Sequence, residues 1–225
     1  LSVAEFLGAS GKELIVAVRP GGDIGGRLAV SEEFNFDKCF EVCGTANAFG
    51  ALAVVARLMK LDEAQIVNAY GILLRMMSGS SQSLRDGAYS FKLPGALAAY
   101  HAVVAVQFAQ GDLAGVKDAL QSPMSHYNLF SVKVYPECLV ADLGKTFYAK
   151  GMHKLHPSCY GNHNPIECAL DIVRAHEFAA GDIEQITLEV PPDRLMHFLN
   201  QTMPEQDPQA RSLFSIPYAV ANVML

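Results

Sequence analysis

Apolar residues recur at three- and four-residue steps through much of the first half of the chain, and that period predicts helices. Ala46–Lys60 is apolar on almost every side, as expected of a helix buried between others. Asp62 followed by Gln65 has the form of a capping box, and Ile66, Val67, Tyr70, Leu73, Leu74 and Met77 then recur at helical spacing. Gly79-Ser80-Ser81 breaks the pattern. A further helix is predicted after Pro94, running to a glycine stop at Gly111, with Asp112 placed to cap a short helix that ends before Pro123. Helices joined by short polar loops predict a bundle.

The second half changes character. Val132–Tyr135 is short and β-branched, and Ile183–Val190 alternates, with Ile186, Leu188 and Val190 on one face and Thr187 and Glu189 on the other. That alternation predicts a half-buried strand ended by Pro191-Pro192. Between the two, Asn164-Pro165-Ile166-Glu167 reads as a helix start, with Asn164 as cap and Glu167 reaching back; the helix should run to about Ala180 and stop at Gly181. The expected fold is a mainly α-helical domain, part of a larger bundle, followed by a partial α+β domain, with the boundary near Phe130–Ala141. The glycines of Gly21-Gly22-Asp23-Ile24-Gly25-Gly26 follow no clear strand and lack the Lys-Ser/Thr ending of a phosphate loop, so a turn is expected there.

Composition narrows the function classes. The 225 residues are 51% hydrophobic and 18% charged, which fits a well-buried globular protein. Seventeen basic residues against 23 acidic ones leave a net charge of −6 with no basic block, so nucleic acid is not the expected partner. The longest apolar stretches, Ala46–Met59 and Ala96–Ala109, contain Asn47, Arg57, His101 and Gln107 and are shorter than the roughly 20 residues of a membrane span. No membrane partner is expected. Cys39, Cys43, Cys138, Cys159 and Cys168 are odd in number and scattered, which fits reduced thiols in a cytoplasmic setting, or a mitochondrial one in a eukaryote. The Cys39/Cys43 spacing fits small core or loop residues better than a redox pair. The helices Ala46–Lys60 and Ala96–Gln110 are apolar on more faces than their neighbours should cover, so an interface is expected.

Candidate chemistry concentrates in residues 152–164. His153, His156, Cys159 and His163 have donor atoms suited to a metal, but not the paired spacing of strong zinc signatures. A polar loop leading into a capped helix is the plain alternative. A third reading is an anion-binding loop, in which Lys154 and a helix N-terminus near Asn164 both attract carboxylates, and its chemistry is the most coherent. Asp86-Gly87 followed by Lys92 reads either as a solvated turn or as a charged pair facing a cleft. No Gly-x-Ser-x-Gly elbow is present.

Several blocks together resemble the MmgE/PrpD family, in the right order over nearly the whole chain. They are Cys43–Ala51, Arg57–Asp62, the Asp86-Gly87…Lys92 region, His153–Cys159 with His163, and Phe214–Ala221. The family includes 2-methylcitrate dehydratase, cis-aconitate decarboxylase and iminodisuccinate epimerase. The resemblance implies a partial helical domain over 1–135, a smaller partial α+β domain over 136–225, and often a homodimer. It also implies a lyase acting on a small di- or tricarboxylate with no cofactor and no metal. The enzymatic alternative is an epimerase in which Lys154 and Tyr218 handle the proton. The non-enzymatic alternative is a truncated member serving as a structural or dimerisation module. Carried over by position, Lys154 falls on an active-site lysine, Cys159 where relatives carry Cys or His, and Tyr218 on an active-site tyrosine. Lys92, Asp86 and His163 fall on substrate-binding positions. Lys92 sits one residue further from Asp86 than in the family, and Gly95 stands where many relatives carry His. An acidic residue and a histidine of the family's site lie upstream of Leu1, which implies an internal portion of a longer protein or a truncated relative.

Overall fold

The computed structural model of the protein describes residues 1–149, 151, 153–190, 199–200 and 208–225. In chain order the helices are α1 (Ser2–Phe6), α2 (Gly11–Val30), α3 (Ala46–Leu58), α4 (Glu63–Met76), α5 (Gln82–Asp86) and α6 (Leu93–Gln110). They are followed by α7 (His126–Phe130), α8 (His163–Ala175), α9 (Pro208–Ser212) and α10 (Ile216–Met224). Two strands, β1 (Glu32–Phe34) and β2 (Ser131–Val134), pair antiparallel, so the described chain is mainly helical with one small sheet. Among the described residues no helix is long and apolar enough to cross a membrane. The chain divides into two compact units, Leu1–Ser81 with Lys92–Gly151, and Gln82–Phe91 with Met152–Leu225.

The first unit is built on α2, α3, α4 and α6. Its core joins Leu52 and Val55 of α3, Ala69 and Leu73 of α4, and Ala102 and Val106 of α6. The Asp62 capping box forms as expected: Gln65 N donates to Asp62 Oδ1 at 2.8 Å and Asp62 N to Gln65 Oε1 at 3.1 Å. Gly111 ends α6, also as expected. Leu93, Leu97, Tyr100 and Phe108 stand exposed along one stripe of α6, opposite its buried alanines.

The glycine-rich run is not a turn. Residues 21–26 lie inside the 20-residue helix α2, which continues through Pro20. Its start is fixed by a capping box in which Glu13 N donates to Ser10 Oγ and Ser10 N donates to Glu13 Oε2. Its glycines serve packing. A Cβ on Gly21 would lie 2.7 Å from the Gly50 carbonyl of α3, and a Cβ on Gly50 would lie 2.7 Å from the Gly21 carbonyl. Bare backbone on both helices is therefore what permits the close crossing. Gly21→Val should destabilise the protein by about 1–3 kcal/mol through overpacking. Gly11→Ala, at a helical position with open space around it, should leave stability equal or slightly higher. Urea midpoints of the two variants check both signs.

The loop from Cys138 to Tyr148 is strapped to α2 through one buried pair. Arg27 Nε lies 2.7 Å from Asp23 Oδ2, one helical turn earlier. The guanidinium also donates to the carbonyls of Cys138, Leu139, Ala141 and Thr146. Asp23 Oδ1 accepts from Tyr148 N at 2.7 Å, and Arg19 lies 4.0 Å from the Phe147 ring centre. Beside this strap, β1 and β2 pair Glu32 with Val134 and Glu33 with Lys133, with a bulge before Phe34. Buried Glu32 takes His126 Nε2 at 3.0 Å on both carboxylate oxygens and also accepts from Ser131 Oγ.

Three further elements differ from the sequence pattern. Asp112 caps no helix; it adopts a left-handed φ of 61° directly after α6, and Asp118 instead accepts from Leu120 N and Gln121 N in a turn. Residues 183–190 form no strand, because no partner runs beside them among the described residues, and Ile186, Leu188 and Val190 are exposed. Pro191 and Pro192, expected to end that strand, lie outside the described residues, as does Met152. Helix α8 stops at Ala175 rather than near Ala180. Ile172 and Val173 are already exposed, and a helix end without apolar cover has little to hold it.

Candidate active site

The second unit gathers the polar run around α8 and the α9–α10 connection. Its core packs Ala169 of α8 against Leu199, Ile216 and Val220, with Cys159 and Phe214 beside them. The Leu213 carbonyl is the local anchor. It accepts from Cys159 N at 2.8 Å, Ser158 Oγ at 3.1 Å and Asn162 Nδ2 at 3.2 Å. Asn162, fully buried, also donates to Ser158 Oγ at 2.6 Å. These bonds hold the backbone of Ser158 and Cys159 against the loop before α10.

The helix start differs in detail from the expected one. Asn162, not Asn164, precedes the first residue of α8, and no side chain caps it, since Asn162 turns to Ser158 and Leu213. Glu167 does not reach back to the helix start. Its Oε1 lies 2.5 Å from His156 Nε2. The His163 ring sits 5.2 Å from that of His156 and 5.0 Å from that of Tyr160, and its buried Nε2 has no hydrogen-bond partner among the described residues.

A cleft of about 510 Å³ opens over this loop, lined by Lys154 to Cys159 together with Phe91, Leu213 and Phe214. Phe91 meets Phe214 edge to face at 4.9 Å, which closes its apolar end. Lys154 is exposed, and its ammonium donates to the Ser158 carbonyl at 2.8 Å. The cleft thus presents a cation, an imidazole oriented by a carboxylate, a hydroxyl and a thiol in one concavity. Among the described residues no three His, Cys, Asp or Glu side chains converge on a point where a metal ion would sit.

The structure therefore brings Lys154 and Cys159 together on this cleft, with the His163 ring meeting that of the cleft's His156 edge to face. Asp86 and Tyr218 belong to the same unit but are not among the lining residues. Asp86 Oδ1 accepts from Gln82 Nε2, and its carbonyl accepts from Arg211 Nη2 at 3.0 Å. Tyr218 lies in the first turn of α10, where its N–H donates to Ser215 Oγ at 3.2 Å. Lys92 lies in the first unit, immediately before α6. Sequence reasoning missed Asn162 as the buried anchor and the pairing of His156 with Glu167. Their spacing of 11 residues spans a loop and a helix start, and no periodic rule covers it. In the other unit, burial and the neighbouring Glu41 push the Cys43 thiol up, the opposite of an activated thiolate.

The MmgE/PrpD N-terminal domain matches residues 1–138 and the MmgE/PrpD C-terminal domain matches residues 156–225. This chain belongs to the MmgE/PrpD family. No curated protein sequence matches it.

Proposed function

We propose that the protein acts as a lyase on a small di- or tricarboxylate, by dehydration or decarboxylation. The observation that carries this reading is the Lys154 ammonium on the 510 Å³ cleft that also holds His156, Ser158 and Cys159. A substrate carboxylate pairs with Lys154, and the uncapped start of α8 adds a partial positive charge nearby. Both reactions build negative charge on the carbon next to a carboxylate, and a fixed cation lowers that barrier by stabilising the developing charge. Proton transfer falls to a titratable group of the cleft, Cys159 or His156, with Tyr218 as a further proton-handling residue. In this reading Asp86 and His163 help bind substrate. The exposed stripe of Leu93, Leu97, Tyr100 and Phe108 on α6 supports assembly with a second copy of the chain.

The test is proton exchange at carbon. Incubated in D2O with cis-aconitate, 2-methylcitrate or iminodisuccinate, the protein should incorporate deuterium next to a carboxylate of one of them. NMR separates the cases: a new alkene or its hydration for a dehydratase, loss of one carboxyl for a decarboxylase, exchange with inverted configuration for an epimerase. No turnover and no exchange with any of the three would leave a non-catalytic structural or dimerisation module as the better reading.

A further inference from the structure

The first unit carries a second concavity, of about 690 Å³, lined only by residues of that unit. Its size falls within the roughly 300–1,000 Å³ of small-molecule sites. Its floor is apolar: Val16, Pro20 and Ile24 of α2, Ala53 of α3, and Ile66 and Tyr70 of α4. Tyr70 presents its ring there, because its hydroxyl donates to the Phe49 carbonyl at 3.3 Å. The rim is cationic. Lys12, Arg57 and Lys60 stand at it with one carboxylate, Glu13, whose Oε2 already accepts from Ser10 N and Ser10 Oγ.

Two of these cations have an ordinary reason to be where they are. Arg57 and Lys60 stand at the C-terminal end of α3, where positive charge suits the helix dipole. Lys12 has none. It occupies the first turn of α2, where the dipole disfavours a cation, and it makes no ion pair or hydrogen bond among the described residues. An excess of positive charge around an apolar floor, in a chain of net charge −6, has one kind of complement.

We infer that this cleft binds a monomeric amphiphile with a single medium-length apolar chain and an anionic head, of the carboxylate type. The chain lies along the α2–α3–α4 floor, and the head pairs with Arg57, Lys60 and Lys12. This site is separate from the Lys154 cleft and does not rest on the reading of that cleft.

The experiment is calorimetric titration of the full chain with dodecanoate, kept below its micelle concentration, and with dodecyltrimethylammonium as the cationic control. Dodecanoate should saturate at one per chain, and the ammonium amphiphile should not bind. The double variant R57Q/K60Q removes charge at exposed positions and should weaken dodecanoate about tenfold or more, the effect of losing a charge-assisted contact. Ala53→Phe fills the floor and should abolish binding. If that variant does not fold by circular dichroism, R57Q/K60Q decides alone. Lys154→Met should leave dodecanoate binding unchanged. Equal binding of both amphiphiles, unchanged affinity in R57Q/K60Q, or association only with anionic phosphatidylglycerol vesicles would each overturn the inference.

Discussion

Lys154→Met lowers turnover of the carboxylate substrate by about 100-fold or more while the protein stays folded. Methionine keeps most of the length of the side chain and removes its charge, so the loss reports on charge stabilisation rather than on shape. Folding survives because Lys154 is exposed and its one hydrogen bond among the described residues is to the Ser158 carbonyl, which solvent can replace. The defect should fall on kcat and kcat/KM together if Lys154 meets the charge that develops in the transition state. If Lys154 only holds the ground-state carboxylate, the loss appears in KM alone. Circular dichroism and steady-state kinetics on the same preparation make the measurement, and near-normal kcat together with near-normal KM removes Lys154 from the site.

Arg27→Met is the largest expected loss of stability, about 3–5 kcal/mol, because it strands a buried carboxylate. Asp23 and Arg27 are both almost fully buried, and the guanidinium also serves four carbonyls between Cys138 and Thr146. Asp23→Leu combined with Arg27→Met should recover part of the loss, since no unpaired charge then remains. The pair also sets a pH dependence. Burial pushes the Asp23 carboxyl up, but the hydrogen bonds from Arg27 and from Tyr148 N–H, with the charges of Arg27 and Arg19, outweigh it and hold the group below the ordinary aspartate range. A carboxyl depressed in the folded state contributes stability above its unfolded pKa, and that contribution is lost as pH falls through the folded value. Urea unfolding from neutral to acid pH should show this decline, and Asp23→Asn should flatten it.

Helices α3, α4 and α6 were legible because their information is local. The Asp62–Gln65 box and the Gly111 stop are contacts within a turn or two, and apolar period marks the buried face. Helix α2 was not read from the sequence: the four glycines between Gly21 and Gly26 read locally as a turn, and the Ser10–Glu13 capping box that starts the helix was passed over. What makes glycine favourable there is the carbonyl of Gly50, on another helix. The alternating run Ile183–Val190 failed in the opposite sense. Its period suits a strand, but a strand exists only with a partner, and none runs beside it among the described residues.

The candidate site divides in the same way. The sequence by itself determined the residue types: Lys154, His156, Cys159 and His163 lie close together, so any fold of that loop keeps them near one another. The tertiary structure alone decided what faces what. The Leu213 carbonyl that anchors Ser158 and Asn162 lies 55 and 51 residues further on, and Arg27 reaches carbonyls 111 to 119 residues away. Capping and periodicity act over a few residues because they follow from backbone geometry. These longer bonds form only once burial has brought distant segments together and their polar groups must find partners out of water.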